Sequence, residues 1–136
     1  MAEFVMKDLV KKQGLQDEFY IASAATSREE IGNPVHYGTK NKLHTYGISV
    51  DGKYAIQLTK KDYESYDYII GMEQRNITNI LRIIGEDRKA KVCRLLDYSD
   101  RPRDIADPWY TGDFDQTYEE VLEGCQVLLE ACLSSI

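Results

Sequence analysis

The side chains able to do chemistry are few and unevenly spread. Three cysteines, Cys93, Cys125 and Cys132, stand at spacings of 32 and 7. An odd number at those spacings fits neither a disulfide framework nor a zinc ligand set, and free thiols suit a cytoplasmic protein. His36 and His44 lie eight residues apart with Lys40 between them, so no metal site is expected. Carboxylates concentrate in residues 97–114, which hold five aspartates and two prolines in 18 residues without periodicity. A loop that long in a compact domain is usually functional or disordered, and this one is the best pointer to a site. It contains Asp107-Pro108-Trp109-Tyr110. Taken alone, Asp-Pro is foremost a turn signal.

These residues need elements to position them. The chain has 136 residues, 43% hydrophobic and 29% charged, the size and balance of one soluble globular domain over 1–136. Lys and Arg number 17 against 23 Asp and Glu, a net charge of −6 with no basic cluster. Neither nucleic acid nor a membrane is expected as a partner. No apolar run approaches ~20 residues, and the start lacks the basic and apolar regions of a signal peptide.

Apolar spacing predicts a helix over 1–13, with Phe4, Val5, Leu9 and Val10 near one face. A second helix is predicted over 33–46, with Asn33 as cap, Pro34 at its first position and Gly47 after it. A third covers 73–84 on Ile77, Ile80, Leu81 and Ile84. The last begins near Asp115 and carries Val121, Leu122, Cys125, Leu128, Leu129 and Cys132. Runs at 19–23, 68–72 and 91–96 predict strands, and 54–58 an extended stretch. Thr59 with Asp62 three residues on predicts a short helix start.

Strands alternating with helices imply an α/β fold, a three-layer α/β/α arrangement with a small twisted parallel sheet. The ligand crevice of such folds lies beyond the carboxyl ends of the strands. That selects residues 24–33, the junction at Glu73, and 97–114. Three strands are few for a doubly covered sheet, and the chain opens directly on a helix. A strand and its loop are expected to be missing from the front.

Four segments in order carry a resemblance. Ser23-Ala-Ala-Thr-Ser27 followed by Glu30-Ile-Gly-Asn-Pro34 resembles the second-strand loop of the low-molecular-weight protein-tyrosine-phosphatases. Leu58-Thr-Lys-Lys-Asp62 with Asp67-Tyr-Ile-Ile70 and Met72-Glu73 is similar to their Leu-Thr-x-x-Asp … Asp-Tyr-Ile … Met-Asp stretch. Asp107-Pro-Trp-Tyr110 resembles their Asp-Pro-aromatic-aromatic loop, and the Cys-bearing C-terminal helix matches too. In that family a first strand and a Cys-x5-Arg-Ser-Pro phosphate loop precede the segment matching Met1-Ala2-Glu3, and the sheet has four strands. Six residues after Cys93 stands Ser99, six after Cys125 stands Ala131, and Cys132 lies too near the end. The expectation is a domain truncated at its N-terminus and lacking the nucleophile.

The resemblance implies hydrolysis of phosphotyrosine through a cysteinyl-phosphate, without cofactor or metal. Asp107 maps onto the acid that protonates the departing phenolate and then serves as base for water. Trp109 and Tyr110 would wall the slot for the substrate ring, with Glu29 on the opposite wall. Ser23, Lys53 and Glu73 would support the phosphate loop, Lys53 standing where a histidine is usual. His36 and Gly38 replace the common Asp-x-Arg, and Ile56 replaces an Arg.

The implied partners are a phosphotyrosine protein or small aryl phosphate, in the full-length form. The chain as written is expected to be inactive. One rival is a natural pseudophosphatase acting as a binding module. A weaker one is an arsenate reductase of the same fold, against which stands the lack of cysteine between residues 51 and 84. Without a central strand, the segments at 19–23 and 68–72 are expected either to pair directly or to take a strand from another molecule. Self-association through that exposed sheet gap is the second outcome.

Overall fold

The computed structural model describes residues 1–26, 37–50, 52–53, 56–106 and 108–134, and the backbone alone of Tyr37, Trp109 and Tyr110. Its centre is a β–α–β unit. Strand β1 (Ile69–Gly71) and strand β2 (Val92–Arg94) run parallel, with Ile69 opposite Val92, Ile70 opposite Cys93 and Gly71 opposite Arg94. Helix α4 (Gln74–Ile84) crosses between them. Glu73 is extended and caps α4 reciprocally: its side chain accepts the Asn76 N–H, and the Asn76 side chain accepts the N–H of Glu73 at 3.1 Å. At the far end Gly85 takes φ 88°, a left-handed geometry that stops the helix. Asp87 then accepts N–H bonds from Lys91 at 2.8 Å and Val92 at 3.1 Å, and so aims the chain into β2.

Helices cover both faces of this pair. On one face Ile69 packs with Ile80 and Ile84 of α4 and with Tyr63 of the short helix α3 (Asp62–Ser65). The Thr59 N–H donates to Asp62 Oδ2 at 2.8 Å, the short helix start predicted from those two residues. On the other face lies the larger core. It joins Val5, Met6 and Val10 of α1 (Ala2–Lys12), Leu43 of α2 (Tyr37–Thr45) and Val121, Cys125, Leu128 and Leu129 of α6 (Phe114–Ser134). Leu95 and Leu96, in the 3₁₀ turn Leu95–Tyr98 that continues β2, complete it. Each large aliphatic so buried contributes up to ~1.5–3 kcal/mol. The molecule is an α/β fold with a small parallel sheet.

Several expectations need correction. The strand predicted over 19–23 is not one: among the described residues its neighbourhood is limited to a single parallel bridge, Ala25 to Gln57. There Ala25 donates to the Ile56 carbonyl at 2.7 Å and accepts from the Leu58 N–H at 2.8 Å. A strand exists only with a neighbour to take its N–H and C=O groups, whatever its β propensity. Tyr20, expected in a core strand, is 81% exposed. The strand predicted over 91–96 ends at Arg94, where the chain turns into the 3₁₀ segment. The aperiodic stretch 97–114 is not wholly irregular, because α5 (Pro108–Thr111) forms one turn within it. On α1 the buried side includes Met6 and Glu3, while Phe4 and Leu9 are only half-buried. Asn33 and Pro34 lie outside the described residues.

Among the described residues no strand lies along one edge of β1. Ile69 donates to the Lys91 carbonyl at 2.9 Å, so the alternation of a parallel ladder turns the N–H and C=O of Ile70 away from β2. Among the described residues no bond links residues 19–24 to that edge, so direct pairing of the two segments does not form.

Candidate active site

Beyond its carboxyl end β1 reaches α4 through Met72 and Glu73, and β2 runs into the 3₁₀ turn; at the start of α1 two of the candidate residues meet. Ser23 and Lys53 converge on a residue the sequence did not single out. Ser23 Oγ donates to Glu3 Oε1 at 2.7 Å, and Lys53 Nζ reaches the same oxygen at 2.7 Å. Lys7 Nζ holds the other oxygen at 2.8 Å. Lys53 also donates to the Ser23 carbonyl at 3.4 Å. The Glu3 side chain is only 4% exposed. Burial pushes its carboxyl up, but hydrogen bonds from Lys53, Lys7 and Ser23 outweigh this and hold it down at about 2. An acid in the first turn of α1 also meets the positive end of that helix dipole. The signal for Glu3 was available in principle: a carboxylate on the side of the helix shared by Met6 and Val10 must find partners.

Glu73, expected with Ser23 and Lys53 as a support of the phosphate loop, has other partners in this structure. Its carboxylate caps α4 and lies 3.9 Å from Arg75.

The loop from β2 to α5 is tied down along its length. Ser99 Oγ donates to Glu123 Oε2 at 2.6 Å, and Arg103 bonds Glu120 and Glu123, each at 3.2 Å. Arg94 bonds Asp97 and Asp104, each at 2.9 Å. Ile105, 2% exposed, donates its N–H to the Met72 carbonyl at 2.9 Å, which fastens the loop to the end of β1. Thr117 Oγ1 donates to the Ala106 carbonyl at 3.2 Å. Asp107 and Glu29 lie outside the described residues, as does His36; Trp109 and Tyr110 fall on the backbone of α5. Gly38 backs onto Phe114: a Cβ there would stand 2.3 Å from the ring, so a larger residue would require the ring to shift. Ile56 is 55% exposed.

The thiols are poor nucleophiles where they stand. Burial pushes Cys125 up to about 12, and burial likewise raises Cys93 and Cys132. Cys93 sits 3.6 Å from the Tyr98 hydroxyl, and Cys125 is 1% exposed in the core. A thiol held protonated does not attack phosphorus.

This geometry has known counterparts. A family model described as low molecular weight phosphotyrosine protein phosphatase matches residues 1–135. The low molecular weight protein-tyrosine-phosphatase YfkJ of Bacillus subtilis is 38% identical over 131 residues, covering 95% of this chain and 84% of that protein. PtpA of Staphylococcus aureus, described in the same terms, is 33% identical over 131 residues, 96% of this chain and 82% of its own length. The crystal structure of YfkJ superimposes with a TM-score of 0.94, at 36% identity, over 98% of this chain and 86% of that one. SP-PTP, the low molecular weight protein tyrosine phosphatase of Streptococcus pyogenes, gives 0.84 at 40% identity, over 96% and 81%. The ordered motifs, the β1–α4–β2 unit and these matches agree: the chain belongs to the low molecular weight phosphotyrosine protein phosphatase family.

Proposed function

We propose that these 136 residues form the acid-bearing body of a phosphotyrosine phosphatase, one domain over 1–136, that cannot turn over substrate with the groups it holds. Asp107 is the general acid and base, Trp109 and Tyr110 wall the slot for the aryl ring, and Glu29 faces them. Ser23 and Lys53 support the phosphate-binding loop through Glu3. The substrate is a phosphotyrosine protein or a small aryl phosphate, and three free cysteines fit a reducing, cytoplasmic setting. The observation that carries the reading is the convergence of Ser23 and Lys53 on the buried Glu3 carboxylate. It supports a platform at the start of α1 kept in order for a loop that must bind an anion.

The reaction needs a low-pKa thiolate and a guanidinium six positions beyond it to stabilise the equatorial oxygens. No cysteine here is followed by that arginine, and the three present are pushed up. The same observation favours the second reading, a pseudophosphatase that binds rather than cleaves.

The experiment is a para-nitrophenyl phosphate assay of the 136-residue chain beside one extended through the upstream codons. The short chain is expected to stay at the buffer rate. An extended chain with Cys-x5-Arg is expected to turn over. An upstream stop codon supports the pseudophosphatase, and turnover by the pure short chain overturns both readings.

The edge of β1 away from β2 carries its own prediction. Among the described residues no bond meets the outward N–H and C=O of Ile70, and groups so placed recruit a strand from a second molecule. Light scattering across a concentration series is expected to show mass rising above that of the 15.6 kDa monomer. A strictly monomeric chain at all concentrations would count against it.

A further inference from the structure

We propose that the groove between α1 and residues 16–21 docks an extended segment of a partner protein in which one apolar side chain stands between two acidic ones. The residues that line it take no direct part in the reaction proposed above, so the inference stands whether or not the chain turns over substrate.

The lining comes from Lys7, Val10 and Lys11 of α1 and from Gln16, Phe19 and Ile21 of the segment that follows. Its floor is apolar. Val10 is 1% exposed, and Phe19 and Ile21 pack toward the core while Tyr20 between them is 81% exposed. That is the alternation of an extended chain, which sets Phe19 and Ile21 together on one wall. The other wall carries Lys7 and Lys11, four positions apart and so on one face of the helix.

The lysines give the groove its sign. Glu3 bonds Lys7 at 2.8 Å and Lys53 at 2.7 Å, so one carboxylate lies between two ammonium groups and a positive charge is left over. Lys7 keeps further N–H donors free of Glu3, and its side chain is 49% exposed. The Lys11 ammonium bonds none of the described residues. Asp8 is taken by Lys12 at 2.8 Å, and Asp17 and Glu18 do not line the groove. A positive rim of this kind attracts an acidic segment. It stands on a chain of net charge −6, whose copies repel one another.

Size narrows the choice of occupant. The groove encloses about 280 Å³ and is open on one side, just below the roughly 300–1,000 Å³ of small-molecule pockets. It suits one apolar side chain and the backbone that carries it. The β carbons of Lys7 and Lys11 are about 5–6 Å apart, and alternate residues of an extended segment about 6–7 Å. Two acidic side chains at alternate positions can therefore meet the two lysines. The residue between them turns the other way, toward Phe19 and Ile21.

The test titrates the ¹⁵N-labelled 136-residue chain with the capped peptide acetyl-Ser-Glu-Leu-Glu-Ser-amide. Amides of residues 7–11 and 16–21 are expected to shift together, with affinity falling as salt rises. Lys11→Glu, at an exposed position, is expected to weaken binding about tenfold. The same variant is expected to gain affinity for the peptide with lysine in place of both glutamates, which a misfolded chain would not. Lys60→Glu, exposed and outside the groove, is expected to bind as the parent does.

Unmoved groove amides at millimolar peptide overturn the proposal, as does a Lys11→Glu chain that binds as tightly as the parent. Equal binding of the Gln-Leu-Gln peptide would mean apolar contact alone, and equal binding of the Glu-Ser-Glu peptide charge alone; either result overturns it. Shifts of the same amides on raising protein concentration without peptide would make a second copy the occupant and overturn it too.

Discussion

Asp107→Asn, made in a chain extended upstream to carry a Cys-x5-Arg loop, is expected to lower kcat on a phosphotyrosine peptide by about 10²–10⁴-fold. The physical reason lies in the leaving group. A tyrosyl phenolate is a strong base, with a conjugate acid pKa of about 10, and leaves slowly unless a proton is delivered as the P–O bond breaks. Asparagine can occupy the same place but has no such proton to give. The loss is expected to be smaller on para-nitrophenyl phosphate, whose phenolate is far less basic and departs with little help. The contrast between the two substrates is the decisive readout, since a merely misfolded variant loses both alike. An unchanged kcat on the peptide would remove Asp107 from the role.

Glu3→Gln is expected to cost about 2–3 kcal/mol at neutral pH, the second large effect. Folding lowers the Glu3 carboxyl from 4.5 to about 2, and each pKa unit corresponds to about 1.4 kcal/mol. The sum is trimmed because Lys7, 49% exposed, can return to water when its partner is neutral. The sign follows from the depressed folded value. The stabilisation is fully present above about 4.5, where even the unfolded chain has its carboxylate ionised, and is lost as pH falls toward about 2. Urea unfolding at pH 7, 5 and 3 checks this. The gap between parent and Glu3→Gln should be widest at pH 7 and shrink toward pH 3. A gap independent of pH would mean that packing, not charge, keeps Glu3 in place.

Much of the fold is legible along the chain because its signals are local. The apolar stripe of α6 is a repeat of 3 and 4 positions, and Val121, Cys125, Leu128 and Leu129 are buried as that repeat requires. Gly85 and the Thr59–Asp62 pair likewise act within a few residues. The 19–23 segment failed for the opposite reason. Its β-rich composition is real, yet strand formation depends on a partner tens of residues away.

The sequence by itself determined the longer helices α1, α4 and α6, the stretches that hold β1 and β2, and the family pattern, since each is signalled by neighbours in the chain. Only the tertiary structure decided that Ser23 and Lys53 meet on Glu3, 20 and 50 positions from it, and that Arg94 reaches Asp104. It also decided that Glu73 serves the cap of α4 and that, among the described residues, β1 pairs on one edge with β2 alone. A buried charge must collect whatever donors the packed chain brings within about 3 Å, and a ladder must take whatever strand lies alongside. Neither choice exists until the chain has folded on itself.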